Sequence, residues 1–158
     1  MAKLDIVAEP GKHDITMSRE FGAPRELLFK AYTDPELVAK WWGPRILTTT
    51  VDKMEVRPGG LWRFVHRDPQ GNDYAFHGVY HDVTSPERIV TTFEFEGMPG
   101  HVLLESASFE ELPGGRSKIV TLSVFQSVED RDGMIQTGME SGAVESMDRL
   151  EELVASMK

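Results

Sequence analysis

Six stretches of alternating apolar and polar residues, joined by short turns rich in Gly, Pro, Asn and Asp, fill the chain from Leu47 to Phe125. No other feature constrains the fold as tightly, because a period of two puts successive side chains on opposite faces of a strand. The stretches are Leu47 to Val56, Leu61 to Arg67, Tyr74 to Val83, Ile89 to Glu96, His101 to Phe109 and Lys118 to Phe125. Turns such as Arg57-Pro58-Gly59-Gly60, Asp68-Pro69-Gln70-Gly71-Asn72-Asp73 and Leu112-Pro113-Gly114-Gly115 are too short for a crossover between parallel strands. The strands are therefore expected to form an antiparallel meander. The apolar phase slips between Val51 and Met54, which predicts a β-bulge. An earlier alternating stretch, His13 to Phe21, brings the expected sheet to about seven strands.

The helical period occupies two places. Leu27, Leu28, Ala31 and Tyr32 repeat at i, i+1, i+4, i+5 in a segment that begins at Pro24. Leu37, Val38, Trp41 and Trp42 repeat the same offsets after Asp34 as N-cap and Pro35 as first helical residue, and Gly43-Pro44 stops the helix. Adjacent tryptophans at the end of an apolar face either fill core or cap an internal pocket. From about Glu129 to Met157, the residues Met139, Ala143, Met147, Leu150 and Val154 form one continuous stripe, with Glu145 and Arg149 spaced for an i,i+4 pair on the charged face. A sheet with one apolar face needs a cover, and this last helix is the element left to supply it. The expected architecture is α+β: a curved antiparallel sheet of about seven strands, two short helices, and one long C-terminal helix across it. It forms a single domain over 1–158 with its core at about 13–157.

Composition narrows the chemistry. A chain of 158 residues can bury a core without covalent staples, and with Cys 0 it has no disulfide, thiolate metal site or thiol catalyst. The start, Met1 to Gly11, lacks an apolar h-region, and no run approaches the roughly 20 apolar residues that span a bilayer. No membrane span is expected, and the expected location is cytoplasmic. Asp+Glu 26 against Lys+Arg 17, a formal charge of -9, repels phosphate backbones, so nucleic acid is not an expected partner.

Several motifs resemble, in order, those of one family. They are Arg19-Glu20-Phe21-Gly22-Ala23-Pro24, Thr33-Asp34-Pro35-Glu36, Trp41-Trp42-Gly43-Pro44, Arg57-Pro58-Gly59-Gly60, Pro69-Gln70-Gly71-Asn72, His77-Gly78-Val79-Tyr80, Ser85-Pro86-Glu87-Arg88-Ile89-Val90 and Glu145-Ser146-Met147-Asp148-Arg149-Leu150. The family is that of bacterial proteins similar to the C-terminal domain of the activator of Hsp90 ATPase, in the START-like, or Bet v 1-like, helix-grip superfamily. The likeness runs from about Ile15 to Val154. It implies the helix-grip fold and leaves activity open, since the superfamily ranges from lipid and hormone carriers to cyclases and ring hydroxylase subunits. It also implies a chaperone partner in a stress-response setting. Such proteins commonly carry a tryptophan after the Gly-rich start of the C-terminal helix, whereas here Gly142 is followed by Ala143, which implies a wider or differently filled cavity.

The expected cavity lies between sheet and covering helix. Its candidate wall is Trp41, Trp42, Trp62, Phe64, His66, Phe76, Tyr80, Phe93, Phe95, Leu103, Met139, Ala143 and Met147. Among the histidines, His66 shares its phase with Trp62 and Phe64 and is best placed to reach an apolar interior; a surface or hydrogen-bonded histidine is the plainer alternative. His77 and His81, four apart on a strand, would lie about 13 Å apart, too far to share a metal. Glu94 and Glu96 read as a solvated outer face. Glu105 shares its phase with Leu103, Ala107 and Phe109, so a buried carboxyl there would have a raised pKa and could act as a base, although an edge position or a bulge explains it as well.

No nucleophile elbow, phosphate loop or dinucleotide fingerprint is present, and neither a catalytic residue, a metal nor a cofactor is expected. Three functional classes remain open. The first is a carrier or sensor of a small apolar molecule, a lipid or an aromatic compound. The second is a protein-interaction module related to Hsp90 co-chaperone domains. The third is a cyclase- or dehydratase-type enzyme using Glu105, His66 or Tyr80. A homodimer is the default assembly.

Overall fold

The computed structural model describes residues 2–158. Eight strands form one sheet: β1 (Asp5–Val7), β2 (Asp14–Phe21), β3 (Thr48–Met54), β4 (Leu61–Arg67), β5 (Asp73–Thr84), β6 (Arg88–Phe95), β7 (Val102–Leu112) and β8 (Arg116–Val124). Their order is β1-β2-β8-β7-β6-β5-β4-β3, and every neighbouring pair is antiparallel. The meander from β3 to β8 follows from its short turns. Strand β2 joins at the β8 edge because two helices, α1 (Arg25–Thr33) and α2 (Pro35–Trp41), separate it in sequence from β3. The bulge expected near Val51 is present, with the β3–β4 register shifting between Val51 and Lys53. Asp34 caps α2 as expected, its carboxylate accepting the Glu36 amide at 3.0 Å ahead of Pro35.

Two expectations need correction. The sheet has an eighth strand, β1, which pairs with β2 through Asp5, Ile6 and Val7; three residues are too few to show an alternation. The expected long C-terminal helix is present as α4 (Met139–Met157), but it starts at Met139 rather than about Glu129, and a separate helix, α3 (Val128–Gln136), precedes it. The break falls at Gly138, whose φ of 80° lies in the left-handed region that glycine enters freely and that an uninterrupted α-helix does not use. Ser127 caps α3 by accepting the Asp130 amide at 3.1 Å. The buried Arg131 then donates to the Glu9 and Asp14 carbonyls at 2.7 and 3.2 Å, fixing α3 against the N-terminal segment.

The core lies between the inner face of the sheet and α1, α2 and α4. Phe21, Leu28, Val38, Phe109, Leu150 and Val154 are almost wholly excluded from solvent. Leu103 belongs to a second, smaller cluster with Ile15 and Phe125. Both Leu150 and Val154 come from the predicted stripe of α4, which therefore grips the sheet as its period requires.

Candidate functional site

The Trp41-Trp42-Gly43-Pro44 and Glu145 to Leu150 motifs, about a hundred residues apart in sequence, meet. Helix α4 holds the segment that follows α2 through a set of side-chain to backbone bonds, which fixes where both tryptophans lie. The Ser146 hydroxyl donates to the Trp41 carbonyl and accepts the Gly43 amide, both at 3.1 Å. Arg149 donates to the carbonyls of Lys40 and Gly43, both at 2.8 Å, and of Pro44 at 3.3 Å, while the Arg45 amide donates to Glu145 at 2.9 Å. Glu145 and Arg149 are thus each bound to this segment, and the expected pair between them does not form: the last carbonyls of a helix need donors. Asp148 turns the other way and, with Glu151, receives the buried Arg19 of β2 at 3.3 and 3.6 Å.

The tryptophans have different surroundings. Trp41 is buried and donates its indole N–H to the Ala31 carbonyl at 2.9 Å, with Tyr32 packed against it at 4.7 Å between ring centroids. Trp42 is half-buried at the centre of an aromatic group, with ring centroids 5.0 Å from Phe64, 4.8 Å from His66 and 5.4 Å from Phe76. Gly43 is required where the chain turns after them. Its φ is 98°, and a Cβ there would fall 2.5 Å from His66 Nε2.

Beneath α4 lies a cavity of about 310 Å³, and Trp41, Trp42, Tyr32, Phe93 and Glu105 also border a second chamber of about 120 Å³. Of the residues expected from sequence, Trp41, Trp42, His66, Phe76, Phe93, Met139, Ala143 and Met147 line the larger chamber, while Trp62, Phe64 and Tyr80 line the smaller. Phe95 and Leu103 line neither. Phe95 stacks on Phe76 at 5.2 Å, and Leu103 is taken up by the second core cluster, because the curved sheet carries the ends of β6 and β7 past the cavity. A Cβ built on Gly142 would meet nothing within 4 Å, and Gly142 and Ala143 both line the larger chamber.

Sequence reasoning left Tyr32, Arg19, Ile119, Thr121 and Ser146 off the wall. A signal existed for Arg19, which keeps the inward phase of Ile15, Met17 and Phe21, and a cation on such a phase calls for the partners it finds on α4. Tyr32 ends the apolar stripe of α1. Nothing in the sequence marks Ser146 as a backbone clamp.

Glu105 is the one carboxylate among the residues that line the two chambers. It stands on β7 between Thr91 of β6 and Ser123 of β8 and lines both chambers. Burial pushes its pKa up to about 7, with a Ser123 hydrogen bond opposing the rise. The Tyr32 hydroxyl is raised by burial first and by the Glu105 charge second. His66 is 5% exposed; burial lowers its pKa, a bond to the Trp42 backbone opposes this, and the charge of Arg149 lowers it further. Its Nε2 has no hydrogen-bond partner among the described residues.

The native chain binds the Glu105 proton more tightly than the unfolded chain, whose carboxyl titrates near 4.5. This group therefore makes folding less favourable as pH rises from about 4.5 to about 7, and the loss levels off above that range. The penalty is roughly 3 kcal/mol at most. Glu105→Gln should accordingly be more stable than wild type at pH 8 by about 1 to 3 kcal/mol and about equal at pH 4.5, as read by urea denaturation. A difference independent of pH would contradict this assignment.

On the opposite face of the sheet, His77 lies 3.3 Å from Glu94 and 2.9 Å from Glu96, and Arg63 forms a two-pronged pair with Glu96 at 2.8 and 3.0 Å. These bonds hold the Glu96 carboxyl down at about 2. The network is an outer-face charge cluster remote from the cavity, as the phase of Glu94 and Glu96 predicts.

An antiparallel sheet closed around a C-terminal helix, with a cavity between them, defines a helix-grip protein. The family described as activator of Hsp90 ATPase homolog 1-like protein matches residues 22–155, and the chain belongs to that family. Among solved structures, a protein from Arthrobacter aurescens superposes with a TM-score of 0.88 at 21% identity over 96% of this chain and 91% of that one. A protein from Rhodobacter sphaeroides gives 0.87 at 23% identity over 99% and 100%. The AHSA1 protein from Silicibacter pomeroyi gives 0.75 at 22% identity over 92% and 99%. At these identities the likeness establishes the fold alone. No curated protein matches the chain. No helix among the described residues is long and apolar enough to cross a membrane.

Proposed function

We propose that the protein binds a small, largely apolar molecule in the chamber beneath α4. The observation that carries this reading is the cavity of about 310 Å³ itself, which lies within the usual range for small-molecule sites and whose wall includes Tyr32, Trp41, Trp42, Phe76 and Phe93 with Met17, Met139 and Met147. Methionine suits such a wall because its unbranched side chain adapts to different shapes. Trp41 and Trp42 both touch the chamber, so occupancy by an aromatic compound should quench indole fluorescence saturably.

The variant that tests this is Ala143→Trp, which adds an indole to the wall of the larger chamber. It should abolish quenching by 2-naphthol while changing stability by less than about 1 kcal/mol, since it fills a void rather than displacing packed atoms. A stability loss of about 1 to 3 kcal/mol with quenching unchanged would show that side chains already fill the site, and the reading would fail.

A second reading is favoured by one observation. Glu105 titrates near neutrality inside the cavity, and a carboxyl poised there suits proton transfer in a cyclase- or dehydratase-type reaction. Turnover that collapses in Glu105→Gln while binding persists would support this reading over simple carriage.

A further inference from the structure

Among the described residues, Glu105 has no cation to answer it. The basic side chain that lines the same chamber, Arg19, is held by Asp148 and Glu151 on α4, and its guanidinium lies 4.6 Å from the centre of the Phe21 ring. The titratable groups facing the cavity from the other elements do not supply a positive charge either. Tyr32 from α1 is a neutral phenol, and His66 from β4 has its charged form disfavoured by burial. From β8 come only the hydroxyls of Thr121 and Ser123, and Arg149 of α4 is bound to three backbone carbonyls. Ser123 favours the ionised form of Glu105, but burial outweighs it. Around it stand Trp41, Trp42, Phe93 and Tyr32, whose ring faces attract cations.

Building on the reading that the cavity binds an apolar molecule, we propose that it selects ligands carrying a basic amine, the ammonium group meeting Glu105 and the apolar body lying against Trp41, Trp42 and Phe93. An ammonium ion is a compact donor that completes the missing ion pair, and desolvation strengthens the pairing on both sides. The net charge of -9 adds a long-range attraction for cations approaching the protein.

Three compounds of one shape test this by isothermal titration calorimetry: 2-(aminomethyl)naphthalene, 2-naphthol and 2-naphthoate. At pH 8 the amine should bind at least about tenfold more tightly than the naphthol, and the carboxylate most weakly. Glu105→Gln, close to isosteric, should remove most of the amine's advantage over the naphthol. In the wild type, amine affinity should rise as pH is raised from 5.5 to 8, because Glu105 gains its charge in this range while the arylmethylammonium stays largely protonated across it. Naphthol affinity should stay level. Equal affinities for amine and naphthol, or an amine preference that survives in Glu105→Gln and does not change with pH, would overturn the proposal and leave the apolar-carrier reading standing. Failure of all three compounds to bind would overturn both.

Discussion

Leu150→Asp should leave the chain without a cooperative unfolding transition at ambient temperature. Leu150 has 0% exposure and belongs to the main core cluster with Phe21, Leu28 and Phe109. The change removes a buried aliphatic side chain, a loss of about 2 to 5 kcal/mol on truncation, and adds a carboxylate whose burial costs several kcal/mol more. A typical domain has only about 5 to 15 kcal/mol to lose. The same substitution at Met147 should be milder although it belongs to the same stripe, because Met147 is half-buried and borders the cavity, where a charge retains some access to water. Urea denaturation followed by far-ultraviolet circular dichroism distinguishes the two. A Leu150→Asp protein melting close to wild type would show that α4 does not pack as described.

Trp41→Ala should cost about 3 to 5 kcal/mol, the usual loss for a buried aromatic. The indole fills core, bonds to the Ala31 carbonyl, packs on Tyr32 and borders both chambers, so its removal also takes away a wall common to the two. Trp42→Ala should cost less, since Trp42 is half-buried and its contacts are ring edges rather than a buried hydrogen bond. Equal losses at the two positions would contradict the distinct roles that the geometry gives them.

The fold was legible in the sequence because its signals are periodic. Alternation located β2 to β8, the phase slip at Val51 located the bulge, and the stripe ending in Leu150 and Val154 located the grip. What escaped had no period to display. Strand β1 is too short, and the separation of α3 from α4 depends on a single backbone angle at Gly138, a residue that helices also tolerate.

The cavity was legible in part, for a related reason. Facing side chains follow from phase, so His66, Phe76 and Phe93 could be placed on its wall, and the phase of Glu105 gave its inward direction. How far a strand runs beside the cavity depends on the curvature of the sheet, which phase does not encode. Phe95 and Leu103 therefore face inward but miss it. The contacts between α4 and the Trp41 to Arg45 segment join residues about a hundred positions apart through backbone carbonyls and amides, which leave no residue-type signature.

The methionines offer the most direct test of whether a small molecule occupies the space beneath α4. Met17, Met139 and Met147 line the larger chamber, whereas Met54, Met98 and Met157 border neither chamber. With methyl-labelled methionine, a titration with 2-naphthol followed by nuclear magnetic resonance should shift the first three resonances saturably and together, and leave the other three in place. Shifts confined to Met54, Met98 and Met157, or no saturable shift at Met17, Met139 and Met147, would contradict the proposal that this cavity is the binding site.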